Sequence, residues 1–111
     1  MDTEAARAML LDLRTQTRAE AATLEHDLRG LFEASLSSNA DDEHDPEGAT
    51  IAYERAQLTA VLDASRRHVA DLDDALHRLD EGGYGVCERC GNPIPAERLA
   101  VRPTARTCVA C

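Results

Sequence analysis

Cys87-x-x-Cys90 and Cys108-x-x-Cys111 place four thiols in two close pairs, with 17 residues between them. Each pair can offer two thiolates from one tight turn, and together they make the tetrahedral sulfur set that zinc accepts. Four protein ligands leave no position for a reacting water, so the pattern predicts one structural Zn2+ and no catalytic metal. A thioredoxin-like redox role fits poorly, because two pairs are present and no βαβ pattern accompanies them. Gly91 suits the turn that wraps the first pair, and Pro93, Pro95 and Pro103 stiffen a segment too short for a large core. Ile94, Leu99 and Val101 are expected to form the small apolar cluster beside the metal.

A second group of residues could act through charge. Asp41, Asp42, Glu43, Asp45 and Glu47 put five carboxylates within seven residues, with His44 among them. Like charges this close repel one another and add nothing to the fold. Asp45 before Pro46 and Glu47 reads as a helix start, where carboxylates meet free backbone N–H groups. Capping does not explain the others, which leaves a solvated loop or a functional tip. Hydrolysis at this cluster is disfavoured, since an exposed acid group lacks the pocket and nucleophile assembly that catalysis needs.

Two long elements must position these groups. From Thr3 to about Leu36 the chain has no Pro, and Leu10, Leu13, Ala21, Leu24, Leu28 and Leu31 fall on one helical stripe with Thr17 filling the gap. Gly30 interrupts it locally, as a packed or a tolerated residue. In the second half Ile51, Leu58, Leu72 and Leu79 follow a seven-residue series whose middle member is Ser65. Leu62, Val69 and Leu76 fill the other seam position. A helix from about Glu47 to Glu81 would be roughly 50 Å long and needs a partner of similar length to cover its stripe. The first helix supplies one within the chain, and a dimer pairing stripes between chains is the alternative. Met9, Leu11 and Phe32 are additional apolar surface, free to pack elsewhere or on the cysteine module.

The expected fold is therefore mainly α: an antiparallel coiled-coil hairpin over residues 1–81, with its tip at about 37–48, then a four-cysteine zinc module over residues 82–111. Composition agrees, because one Phe, two Tyr and no Trp leave Leu and Ala to fill the core. The formal charge is −9, and every basic residue is Arg. Residues 82–111 carry a formal +2, so the acidic hairpin dominates the far field and general attraction to nucleic acid is disfavoured. No apolar run approaches the roughly 20 residues that cross a bilayer, which points to a cytoplasmic protein without a membrane. Arg98, Arg102 and Arg106 line up as candidate partner contacts on the module.

With these residues in view, the last 28 residues resemble the DksA/TraR family of C4-type zinc-finger transcription regulators. The resemblance rests on Tyr84-Gly85 before the first pair, Cys87-x-x-Cys90-Gly91, Ile94, Arg98-Leu99, Pro103 and Cys108-x-x-Cys111. It implies a protein that binds bacterial RNA polymerase without specific DNA contacts. The hairpin then enters the secondary channel, and ppGpp is a partner at the shared interface. Two alignments of the tip compete. The spacing D-x-x-D selects Asp42 and Asp45, whereas D-P-x-D makes Asp45 the first acid and places Gly48 at the second, with Glu47 beside it. Asp45 belongs to both. The family commonly has a basic helix after the last cysteine, whereas this sequence stops at Cys111, which bears on ppGpp more than on polymerase. The reading from another class is a zinc-stabilised coiled-coil adaptor for a different cytoplasmic protein. Failure to bind polymerase would separate the two.

Overall fold

The computed structural model describes residues 2–37 and 46–111. Among the described residues there are three helices: α1 (Thr3–Ser37), α2 (Pro46–Glu81) and the short α3 (Ala96–Val101). The predicted tip acids Asp41, Asp42, Glu43 and Asp45, with His44, lie outside the described residues, and so does the side chain of Glu47. No described helix is long and apolar enough to cross a membrane.

Local chemistry sets the helix ends. Asp2 caps α1, its Oδ1 accepting the Ala5 N–H at 2.8 Å, which satisfies one of the free donors of the first turn. Pro46 opens α2, where its fixed φ suits the first helical position and its missing N–H costs nothing. At the other end of α2, Gly82 takes φ +84°. The Gly82 N–H donates to Leu79 O at 3.2 Å and the Gly83 N–H to Arg78 O at 2.8 Å, the paired bonds of a Schellman stop. This turn sends the chain from α2 into the cysteine module.

The chain divides into two compact units, one comprising residues up to Gln16 with His68–Cys111, the other Thr17–Arg67. In the first, Ala6 and Leu10 of α1 meet Leu72, Ala75, Leu76 and Leu79 of α2 in a buried core. Met9, Leu13 and Tyr84 pack against it. Leu10 and Leu72 are fully buried, each gaining on the order of 1.5–3 kcal/mol from leaving water. Arg7 pairs with Asp80 at 2.6 Å and Arg14 approaches Asp73 at 3.0 Å, so the helices run antiparallel here. These partly exposed pairs select register more than they stabilise, being worth roughly 0–1 kcal/mol each.

In the second unit Thr17, Ala21 and Leu62 are buried, and Arg66 reaches Glu25 across the helices at 2.7 Å. Leu24, Leu28, Leu31, Ile51 and Leu58 are half-buried on the same faces. The seams therefore follow the periodicity, with small or polar residues at Thr17 and Ser65 included. Gly30 has open space around it, so it is tolerated and not a packing residue. Of the additional apolar residues only Met9 joins the core. Leu11 stays 43% exposed, and Phe32, 50% exposed, lies under the Arg55 guanidinium at 5.9 Å from the ring centroid.

Candidate metal centre

The first cysteine pair is shaped by a short backbone ladder after α2. Ile94 N–H donates to Gly85 O at 2.7 Å, Cys87 N–H to Asn92 O at 2.9 Å, and Gly91 N–H to Cys87 O at 2.9 Å. Gly91 closes this turn at φ +75°, a conformation that side-chain-bearing residues avoid. The second pair forms a similar but plainer turn, with Cys111 N–H donating to Cys108 O at 3.2 Å. A bond from Glu88 N–H to Arg106 O at 2.9 Å ties the two turns together.

All four Sγ atoms lie within 4.8 Å of one another. Cys108 and Cys111 sulfurs are 3.4 Å apart and those of Cys90 and Cys108 3.7 Å. Four sulfurs on a tetrahedron at the usual zinc distance of about 2.3 Å would stand about 3.8 Å from each other. A disulfide would need about 2.05 Å, and all four cysteines are free. Their arrangement fits one zinc ion with no open coordination position, so this is a structural site.

Electrostatics favours the same ion. Backbone N–H groups, that of Cys90 foremost and that of Cys108 next, hold the Cys87 thiol down at about 6. The neighbouring sulfurs, Cys108 first, push Cys111 up to about 12. Cys108 is lowered, chiefly by its hydrogen bond with Cys111. Four thiolates this close cannot all ionise without a cation among them, and zinc supplies that charge.

A small core backs the site. Cys87, Ile94 and Leu99 are buried, with Tyr84, Ala105 and Cys108 packed against them. Val101, expected here, is 81% exposed. The reason is helical geometry: Leu99 and Val101 stand two apart on α3, and residues so spaced point to opposite sides. Ala105 takes the position instead. Tyr84 packs against both this cluster and the helical core, and its hydroxyl donates to Pro103 O at 2.8 Å.

The three arginines named as candidate partner contacts differ in their surroundings. Arg98 Nε donates to Thr107 O at 2.9 Å, and Arg106 pairs with Glu88 at 2.9 Å and also with Asp74. Arg102 is exposed and has no side-chain partner among the described residues. His26, His68 and His77 are exposed on the helices, with His77 3.1 Å from Glu81. The metal-capable group found among the described residues holds only cysteines. Asp74 and Arg78, which support the module from α2, were visible in sequence only as an i,i+4 helix pair.

Comparison with known proteins agrees with this site. Residues 82–111 match the prokaryotic dksA/traR C4-type zinc finger. General stress protein 16O of Bacillus subtilis is 32% identical over 100 residues, covering 90% of this chain and 60% of that protein. The RNA polymerase-binding transcription factor DksA of Caulobacter vibrioides is 40% identical over 57 residues, covering 51% of this chain and 40% of its own length. The structure of transcription factor DksA2 from Pseudomonas aeruginosa superposes with a TM-score of 0.82 at 28% identity, over 97% of this chain and 78% of that one. The chain thus spans 60% or less of the curated relatives it matches.

Proposed function

Because this chain belongs to the DksA/TraR family of C4-type zinc-finger proteins, we propose that it is a transcription regulator that binds bacterial RNA polymerase. The observation that carries this reading is the likeness to DksA2 over 97% of the chain, a match that takes in the helix pair as well as the zinc module. A relative named for polymerase binding is 40% identical over 57 residues.

In this reading α1 and α2 carry the acids of residues 41–47 into the secondary channel, the passage by which nucleotides reach the catalytic centre. Carboxylates there act on magnesium or on basic mobile segments, while the inserted helices narrow nucleotide access. Asp45 is the first candidate, with Asp42 and Glu47 next and Asp41 and Glu43 reinforcing the charge. Arg102, exposed on the module, is a contact to the channel rim, and ppGpp acts at the shared interface. The protein works in the cytoplasm as a monomer, reads no DNA sequence and catalyses no reaction. Zinc contributes by holding the module's shape.

Photocrosslinking from position 45 to purified core polymerase tests the reading. Labelled residues beside the catalytic centre are the expected result. No crosslink, together with no binding by the zinc-loaded protein, would replace the regulator with an adaptor for another protein.

A further inference from the structure

The segment that delivers the second cysteine pair is tied down along almost its whole length. Tyr84 holds the carbonyl of Pro103 at 2.8 Å, Arg78 Nη2 that of Thr104 at 3.3 Å, and Arg98 that of Thr107 at 2.9 Å. Ala105 lies against the small core. Arg106 is held through both its backbone and its side chain: its carbonyl accepts from Glu88 N–H at 2.9 Å, and its guanidinium pairs with Glu88 at 2.9 Å and with Asp74. Cys108 follows two residues later.

Two of these ties converge on one carboxylate. Asp74 Oδ2 accepts from Arg106 and, at 3.0 Å, from Arg78 Nε. The Arg78 side chain is only 12% exposed, and its Nη1 is buried without a partner. Removing the negative charge of Asp74 would leave that cation largely desolvated and uncompensated, a costly arrangement. Arg78 and Arg106 would then lose the geometry in which they hold Thr104 and the two cysteine turns.

We propose that Asp74 on α2 is a positioning residue for the metal centre, holding the second cysteine pair in place through Arg106 and Arg78. It touches no sulfur. Partners beyond the ligands typically change metal affinity by about 10–100-fold when removed. An ordinary i,i+4 pair on a helix, by contrast, changes helix stability slightly and leaves a distant metal alone.

The test uses the full zinc-loaded chain and the rate of zinc transfer to excess 4-(2-pyridylazo)resorcinol. Asp74→Asn and Arg106→Met should each speed transfer by about 10-fold or more. Combining them should give less than the product of the two effects, since both break the Asp74–Arg106 pair. Asp74→Glu, which keeps the charge, should restore slow transfer. Asp80→Asn removes the comparable Arg7 pair on the same helix and should change nothing. The cobalt-substituted variants should show altered tetrahedral absorption bands while far-ultraviolet helicity stays constant. If Asp74→Asn lowers helicity, Arg106→Met, outside the helices, decides with Glu88→Gln beside it, because Arg106 also pairs with Glu88; equal acceleration in these two assigns the effect to Glu88 and overturns the proposal. Transfer at the wild-type rate in Arg106→Met, or equal acceleration by Asp80→Asn, overturns the proposal.

Discussion

The hydroxyl of Tyr84 donates to the carbonyl of Pro103 at 2.8 Å, while its ring packs against both the helical core and the cluster behind the cysteines. One side chain thus joins the end of α2 to the segment leading to Cys108. Burial raises the phenol's pKa, an effect the nearby Arg78 charge partly offsets, so the hydroxyl remains a donor at neutral pH. Tyr84→Phe keeps the ring and loses the bond, and should destabilise the protein by about 1 kcal/mol. Chemical denaturation of the zinc-loaded protein measures this. No loss would mean that water replaces the contact.

Leu72 and Leu11 make a matched comparison of buried and exposed leucine. Leu72→Ala opens a cavity in the helical core and should cost about 2–5 kcal/mol, lowering the thermal midpoint of the helices. Leu11, 43% exposed, lies outside the core, and Leu11→Ala should stay within about 0.5 kcal/mol. Equal effects would show that Leu11 meets a surface in solution.

Zinc binding should release fewer protons than the site has sulfurs. In the metal-free protein Cys87, at about 6, is already ionised near neutral pH, whereas Cys111, at about 12, still carries its proton. Since zinc takes all four as thiolates, release at pH 7.5 should be about three protons or fewer. Below pH 6 Cys87 is protonated too, so another proton must leave and affinity falls as the medium becomes acidic. Calorimetry in buffers of different ionisation enthalpy counts the protons. Release of four at pH 7.5 would show that Cys87 is not an ionised thiol there.

The cysteine ligands could be read from sequence because their spacing alone defines a tetrahedral set, and the long helices because apolar residues recur at helical intervals over about six turns of α1 and about eight of α2. Val101 was misread because hydrophobicity identifies what can be buried, while its position two residues after Leu99 decides the face. Asp74 and Arg106 stand 32 residues apart. Their meeting depends on the reversal at Gly82 and Gly83, and no local pattern encodes it. The bond from Arg98 to the backbone carbonyl of Thr107 is hidden for the same reason, since composition says nothing of where carbonyls point.

Under the proposed function, the acids of the connection should separate binding from effect. Asp42→Asn with Asp45→Asn removes two charges from a cluster that repels itself, so the fold should be unchanged or slightly firmer. Affinity for core polymerase should be largely retained, because the helices and the zinc module provide the contact area. The effect on open-complex lifetime at a responsive promoter should disappear. Asp45→Asn alone should account for more of that loss than Asp42→Asn, since Asp45 fills an acid position in both alignments of the tip. Retained regulation in the double variant would assign the effect to occlusion by the helices. Loss of binding together with regulation would make the acids part of the docking surface, with no separate action at the catalytic centre.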